Sequence, residues 1–363
     1  AITTHERATG LLTVNAIDAY NPVKKATLVA PQRLRLALNW SIPFRAGDTV
    51  VLRHQVHGSN VFRLTNCGNV AVRDVTVHAA PGMALLVVRC RDIVVERFRV
   101  EPTPGTTRLM STCADGMHFA ECRGSIVIRD CEMRAMGDDC VNVHGAFLTV
   151  VDRPDDRTLV VDRPDHRAFA KGDLPPKGEH FGVVDRMSLD LLGEPDIVGA
   201  EPGRYEKLQF AGDLPAAAKA GDLVYDADEA PQVTIAHCRF PGNRARGILT
   251  HRNTLIERCA FANQSHAAIL VLSEASSPEG PTVRNVTVAH NDIRNTGRIG
   301  RPGGAIQVAG LSVGEDGKVR FAPEPVNAGV RIIGNTIVDA GTSAVEIGES
   351  HDVTVASNRI ERR

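Results

Sequence analysis

With 363 residues, 43% hydrophobic and 23% charged, the chain can bury a large core. A net charge of −1 and a pI near 7.0 leave no basic footprint for nucleic acid and no polybasic patch for a membrane. Apolar runs such as AAILVL (267–272) are too short to span a bilayer, so neither nucleic acid nor membrane is expected as a partner. The sequence opens AITTHER, without methionine or an apolar signal stretch. A processed N-terminus fits, and a secreted or periplasmic location is the expectation. Aromatic residues make up only 4%, so the core must stack many small branched side chains rather than rings.

Residues 1–60 fit no repeat. FRAGDTVVLRHQ (44–55) reads as a strand pair that caps the open end of a repeat array. From residue 61 a nine-residue pattern recurs: NVAVRDVTV (69–77), DIVVERFRV (92–100), SIVIRDCEM (125–133), QVTIAHCRF (232–240), NTLIERCAF (253–261), NVTVAHNDI (285–293), GVRIIGNTI (329–337) and DVTVASNRI (352–360). Its period-two alternation is a strand signal. The starts are 23, 33, 107, 21, 32, 44 and 23 residues apart. A basal step of 21 to 23 is one coil of a right-handed parallel β-helix, an all-β solenoid, and the longer steps are coils with loops added. The first part of the solenoid is placed at 61–150 and the second at 230–363. The step of 107 implies an inserted β-rich, barrel-like module at 151–229, marked by the pairs Gly172-Asp173, Gly212-Asp213 and Gly221-Asp222.

The seventh position of the repeat reads Val75, Phe98, Cys131, Cys238, Cys259, Asn291, Asn335, Asn358. Stacked coils place these at inward corners, where Cys serves as a small core residue and is expected to be reduced. No CxxC pair exists, so a zinc site is not expected.

A second column precedes each next copy: MALLV (83–87), DGMHF (115–119), DCVNV (139–143), RGILT (246–250), AAILV (267–271), GAIQV (304–308) and SAVEI (343–347). The middle coils are charged where the outer ones are bland. Coils lie about 4.8 Å apart, so Asp115 should sit one coil from Asp139, with Arg246 on the next coil and Asp138 adjacent. His118 and Asn142 should stack beside them on the solvent face. Strict alternation would turn one of the two adjacent aspartates inward, so the pair must lie at a corner, with Gly116 and Gly137 supplying the freedom. Three clustered carboxylates raise at least one pKa, which keeps a carboxyl protonated as a general acid. Asp115, Asp138 and Asp139 are therefore the candidate catalytic residues. Asp138 must point away from the Asp115/Asp139 pair, which makes it the candidate acid and the pair the candidate base. His118, Asn142, His144 and Arg246 are candidate substrate-binding residues. Arg246 either neutralises the patch or touches substrate, and His144 either ties down a loop or faces the sugar. With Arg246 balancing the carboxylates, no metal and no other cofactor is expected.

The runs ADGMHFAECRGSIVIRDCE, GDDCVNVHG and NRARGIL, in this order and with an excursion after the second, resemble glycoside hydrolase family 110, inverting α-1,3-galactosidases built on a right-handed β-helix. The likeness covers most of residues 44 to 360. It implies that Asp115, Asp138 and Asp139 are the catalytic carboxylates and that the partner is a galactose-containing glycan. One departure concerns the loop after AAILVLSE, where the family tends to carry aromatic residues and this chain has ASSPEGPTV (275–283). The reading is a glycosidase that releases terminal α-linked galactose with inversion. The alternatives are a β-helical polysaccharide lyase, with calcium on the aspartates and Arg246 as base, and a non-catalytic carbohydrate-binding β-helix.

Overall fold

The computed structural model describes residues 1–162, 177–203, 205–277, 279–300 and 303–362. The Gly172-Asp173 pair lies outside the described residues. Two eight-stranded parallel sheets and one ten-stranded, mostly parallel sheet wind into the expected right-handed β-helix. We call them sheets I, II and III. Sheet I holds the second-column strands, including Leu85–Val88, Met117–Ala120, Val141–Ala146, Ile248–Thr250 and Ile269–Glu274. Sheets II and III divide each nine-residue repeat between them, as in Arg91–Glu96 followed by Arg99–Val100.

The repeat is thus two strands and not one, and its sixth position explains the break. Asp74, Arg97, Asp130, His237, Arg258, His290, Gly334 and Ser357 all have φ between 49° and 66°. A left-handed residue turns the chain sharply, and it falls at the same place in every copy. The seventh side chain then points inward. Cys131, Cys238 and Cys259 are buried free thiols, and Asn291, Asn335 and Asn358 continue the ladder. Asn335 Nδ2 donates to Asn358 Oδ1 at 2.9 Å, and Asn291 Nδ2 to Asn335 Oδ1 at 3.0 Å. Each of these side-chain oxygens also accepts the backbone N–H one coil earlier, at 2.9 to 3.0 Å. Thiols and amides therefore do the same work on successive corners, satisfying or covering backbone that the turn exposes. Between the corners, ladders such as Ile93–Ile126–Val233 and Val95–Ile128–Ile235 fill the interior with branched side chains, as the scarcity of aromatics requires.

Between the strands Val141–Ala146 and Gln232–Ala236, the chain forms a seven-stranded antiparallel sheet, Leu148–Asp155 through Leu223–Asp226, with its own core that includes Leu159, Val183, Leu208 and Val224. Arg123 of the solenoid ties into this sheet through Glu179 and Asp226.

Near the N-terminus, the strand Ile2–His5 pairs antiparallel with Thr49–Leu52, and the segment that follows it runs along the flank of the solenoid. Glu6 pairs with Arg298 at 2.6 Å and Asp18 with Arg244 at 2.7 Å, so one short segment crosses several coils. That path carries Tyr20 over the corner where the adjacent aspartates lie.

Candidate active site

The columns meet in the register the sequence implies. Met117 pairs with Val141 and Val141 with Ile248, which puts His118, Asn142 and Leu249 in one row. Gly116 N–H donates to the Asp139 carbonyl at 2.9 Å and Cys140 N–H to the Arg246 carbonyl at 3.1 Å, stacking Asp115, Asp139 and Arg246 on successive coils. The three aspartates each bring a carboxylate oxygen within 4.8 Å of the others. Gly116 and Gly137 serve this corner differently from expectation. Neither is left-handed. A Cβ on Gly116 would lie 2.7 Å from the Cys140 carbonyl, and one on Gly137 would lie 2.3 Å from the Cys113 carbonyl. They are there so that adjacent coils can close on each other.

The three carboxylates have different surroundings. Asp139 is only 1% exposed and is gripped from one side by Arg246: backbone N–H and Nε to Oδ1 at 3.0 and 2.8 Å, and Nη2 to Oδ2 at 2.8 Å. This is the forked geometry of a strong charge-assisted pair. Asp115, 5% exposed, accepts the Asp139 N–H on Oδ1 at 3.1 Å, and its Oδ2 lies 2.7 Å from His118 Nδ1. Asp138 is the most accessible, its side chain 19% exposed. Tyr20 O–H donates to its Oδ2 at 3.4 Å, and Arg244 and Arg246 stand 3.5 and 3.9 Å from its Oδ1. Burial, reinforced by the neighbouring carboxylates, pushes Asp115 well above the ordinary aspartate range. Burial and the Asp139 charge push Asp138 up, against the pull of Arg246, Arg244 and Arg53.

Two expected substrate contacts turn inward. His118 and Asn142 are not on a solvent face; both are buried, because the loop carrying Glu279 folds back and pairs antiparallel with the strand Val141–Ala146. Asn142 Nδ2 donates to Glu279 Oε2 at 3.2 Å. His144 is buried with Nε2 2.8 Å from His118 Nε2, and it donates from Nδ1 to the Gly145 carbonyl at 2.5 Å. Burial lowers the pKa of both histidines, and holds His251, its ring centroid 6.3 Å from that of His144, at about 4. Burial alone would raise Glu279, while His144 and His118 opposite it would pull it down only as cationic rings. We take neutral rings as the resting state: both are nearly fully buried, whereas the Glu279 side chain is 27% exposed and 4.0 Å from His144.

Sequence reading missed Tyr20, Arg244 and Glu279. Arg244 stood in the same NRARGIL run as Arg246, and Glu279 in the loop noted for its lack of aromatics. Tyr20 left no local signal. Its ring lies under the guanidiniums of Arg244 and Arg53, 4.7 and 5.4 Å from the centroid, and supplies an aromatic face beside Asp138. A cavity of about 590 Å³ lies behind this turn, between the segments His5–Leu12 and Pro102–Met110. None of the three carboxylates lines it, and Arg244 forms part of the wall between.

The raised pKa of Asp138 also bears on stability. Above about pH 3.9 the native state binds more protons than the unfolded chain, and stability falls as pH rises through the folded value. Asn at 138 is a neutral isostere. We expect Asp138→Asn to have a higher urea midpoint than the parent at about pH 7, with the gain vanishing below about pH 3.9. A lower midpoint at about pH 7 that returns to the parental value at low pH would mean that Arg244 and Arg246 already stabilise the ionised form.

A family model described as Glycosyl hydrolases family 28 matches residues 51–150. The chain is 31% identical over 305 residues to an alpha-1,3-galactosidase B of Phocaeicola vulgatus, covering 78% of this chain and 50% of that protein. It is 27% identical over 333 residues to an alpha-1,3-galactosidase A of Akkermansia muciniphila, covering 88% and 53%. Among solved structures, the A-module of the Azotobacter vinelandii mannuronan C-5 epimerase AlgE4 aligns with a TM-score of 0.43 and 11% identity, over 81% of this chain and 54% of that one. The chain therefore spans about half the length of the curated relatives it matches, and is similar to them over most of its own length.

Proposed function

We propose that this chain is the β-helical catalytic part of a glycoside hydrolase of the family 110 kind, releasing terminal α-linked galactose, α-1,3-linked above all, with inversion at the anomeric carbon. The observation that carries this reading is the unequal treatment of three clustered carboxylates. Asp138 is accessible and biased towards its protonated form, as a general acid must be. Asp139 and Asp115 are buried side by side and anchored, as groups that position a water must be. The names of the curated relatives support galactose as the sugar.

The separation rule alone would not choose inversion. Inverting carboxyls are usually about 6.5–9.5 Å apart, whereas these oxygens approach within 4.8 Å. Hydrogen bonding favours inversion instead. A retaining enzyme needs a carboxylate free to attack carbon, but both oxygens of Asp139 are held by Arg246 and both oxygens of Asp115 are engaged. A water held by the pair is the better nucleophile. The same commitments weigh against calcium, which takes six to eight oxygen ligands.

Incubation with a panel of α-galactosides, followed by NMR of the freshly released sugar, tests this directly. Galactose should appear first as the β-anomer, and a chelator should leave the rate unchanged. An unsaturated uronate product, with activity lost on chelation, would replace this reading with the lyase; binding of galactosides without any turnover would leave a carbohydrate-binding module.

A further inference from the structure

Asp115, His118 and His144 lie on one line of contacts that ends at a backbone carbonyl, and its protons can be counted. The Gly145 carbonyl can only accept, so His144 Nδ1, 2.5 Å away, carries a proton. The two Nε2 atoms 2.8 Å apart hold one proton between them. His118 Nδ1 and Asp115 Oδ2, 2.7 Å apart, hold another. That makes three protons, where an ionised aspartate with two neutral imidazoles would have two. The third sits on Asp115 or on a ring.

The surroundings place it. Facing this line are Asp138 and Asp139 from the corner, Glu279 from the returning loop, Glu121 beyond the strand Met117–Ala120, and Arg246 as the nearest cation. His251 and the Cys140 thiol are also close, and burial keeps both neutral. Anions crowd Asp115, while each ring is almost wholly buried, so the carboxyl is the better resting place for the proton.

On the reading of Asp115 as part of the base, we propose that His118 and His144 are positioning residues that hold Asp115 as a carboxylic acid at rest and accept its proton when it must act as base. In the step, the Asp115 O–H bond breaks and an N–H forms at His118 Nδ1. The attacking water gives its proton to the freed carboxylate as its oxygen bonds to the anomeric carbon. The glycosidic C–O bond breaks and Asp138 protonates the leaving oxygen. One proton has moved from Asp138 to the histidine line, where Glu279, 4.0 Å from His144, is the counter-ion. Exchange with solvent resets both.

Asparagine at 115 copies the protonated acid, since its amide donates to His118 Nδ1 while its oxygen accepts the Asp139 N–H. In protein labelled with ¹⁵N-histidine, His118 should be the neutral Nε2–H tautomer and His144 the neutral Nδ1–H tautomer, unchanged in Asp115→Asn. A doubly protonated His118 in the parent at neutral pH, turning neutral only in Asp115→Asn, overturns the proposal. His118→Asn keeps an acceptor for Asp115 but cannot take its proton. Its kcat should fall about 10-fold to 10²-fold with KM unchanged, and the acid limb of kcat should move to higher pH. An unmoved limb, with KM raised alongside, would mean a purely structural histidine and overturns the proposal too. A parent with these tautomers but no activity on any α-galactoside overturns the functional reading alone.

Discussion

Asp138→Asn is expected to lose about 10²–10⁴-fold in kcat on a natural α-1,3-linked disaccharide and to recover most of it on an aryl galactoside with a good leaving group. The geometry sets this apart from its neighbours. Asp138 is the most accessible of the three carboxyls, and burial beside Asp139 biases it towards the protonated form. Its service to the reaction is a proton for the departing oxygen, and a leaving group stable as an anion does not need that proton. Asp139 is buried and turned to Arg246, so Asp139→Asn removes an acceptor that the attacking water needs whatever the leaving group is. Asp139→Asn should be equally slow on both substrates. Rescue of Asp139→Asn with none for Asp138→Asn would exchange the two roles. Near-parental rates in both would remove the cluster from the chemistry altogether.

The solenoid was legible because its cause is periodic and local. Each coil must bury the same two or three faces, so the same side-chain classes return at the same offsets, and rows such as Met117–Val141–Ile248 emerge once the coils are aligned. The left-handed corner was harder to see. Its occupants include Asp, Arg, His, Ser and Gly, because the position constrains the backbone and leaves the side chain outside. The aspartate cluster was legible for the same reason as the fold, since stacking converts a register into proximity. What stayed hidden was brought in from elsewhere along the chain. Tyr20 reaches Asp138 across 118 residues, and Asn142 meets Glu279 across 137. Nothing in the repeat encodes those approaches. His118 was misjudged as solvent-facing because alternation tells which side of a sheet a residue occupies, not whether a loop later covers that side. The Glu279 loop does.

The second large effect belongs to Arg246. Arg246→Met should cost stability and activity together, and the two losses should separate on adding a second change. Asp139 is 1% exposed, and its forked partner is the guanidinium of Arg246. Breaking a buried pair by removing one partner typically costs about 3–5 kcal/mol. The Arg246 side chain is 29% exposed, so water can reach part of the vacated space, and the loss belongs at or below the low end of that range. A buried carboxylate without a cation escapes its predicament by taking up a proton. The acid limb of the kcat profile should therefore move to higher pH in Arg246→Met, with much of the lost rate returning as pH rises. Lysine restores charge but not the planar fork, so Arg246→Lys should recover stability in part and the position of the limb only in part. Adding Asp139→Asn to Arg246→Met removes the unpaired charge itself. The double variant should regain much of the urea midpoint lost by Arg246→Met while staying inactive at every pH. If the double variant is less stable than Arg246→Met by the full cost of Asp139→Asn alone, the two side chains are not coupled, and the pair is not what holds Asp139 in place.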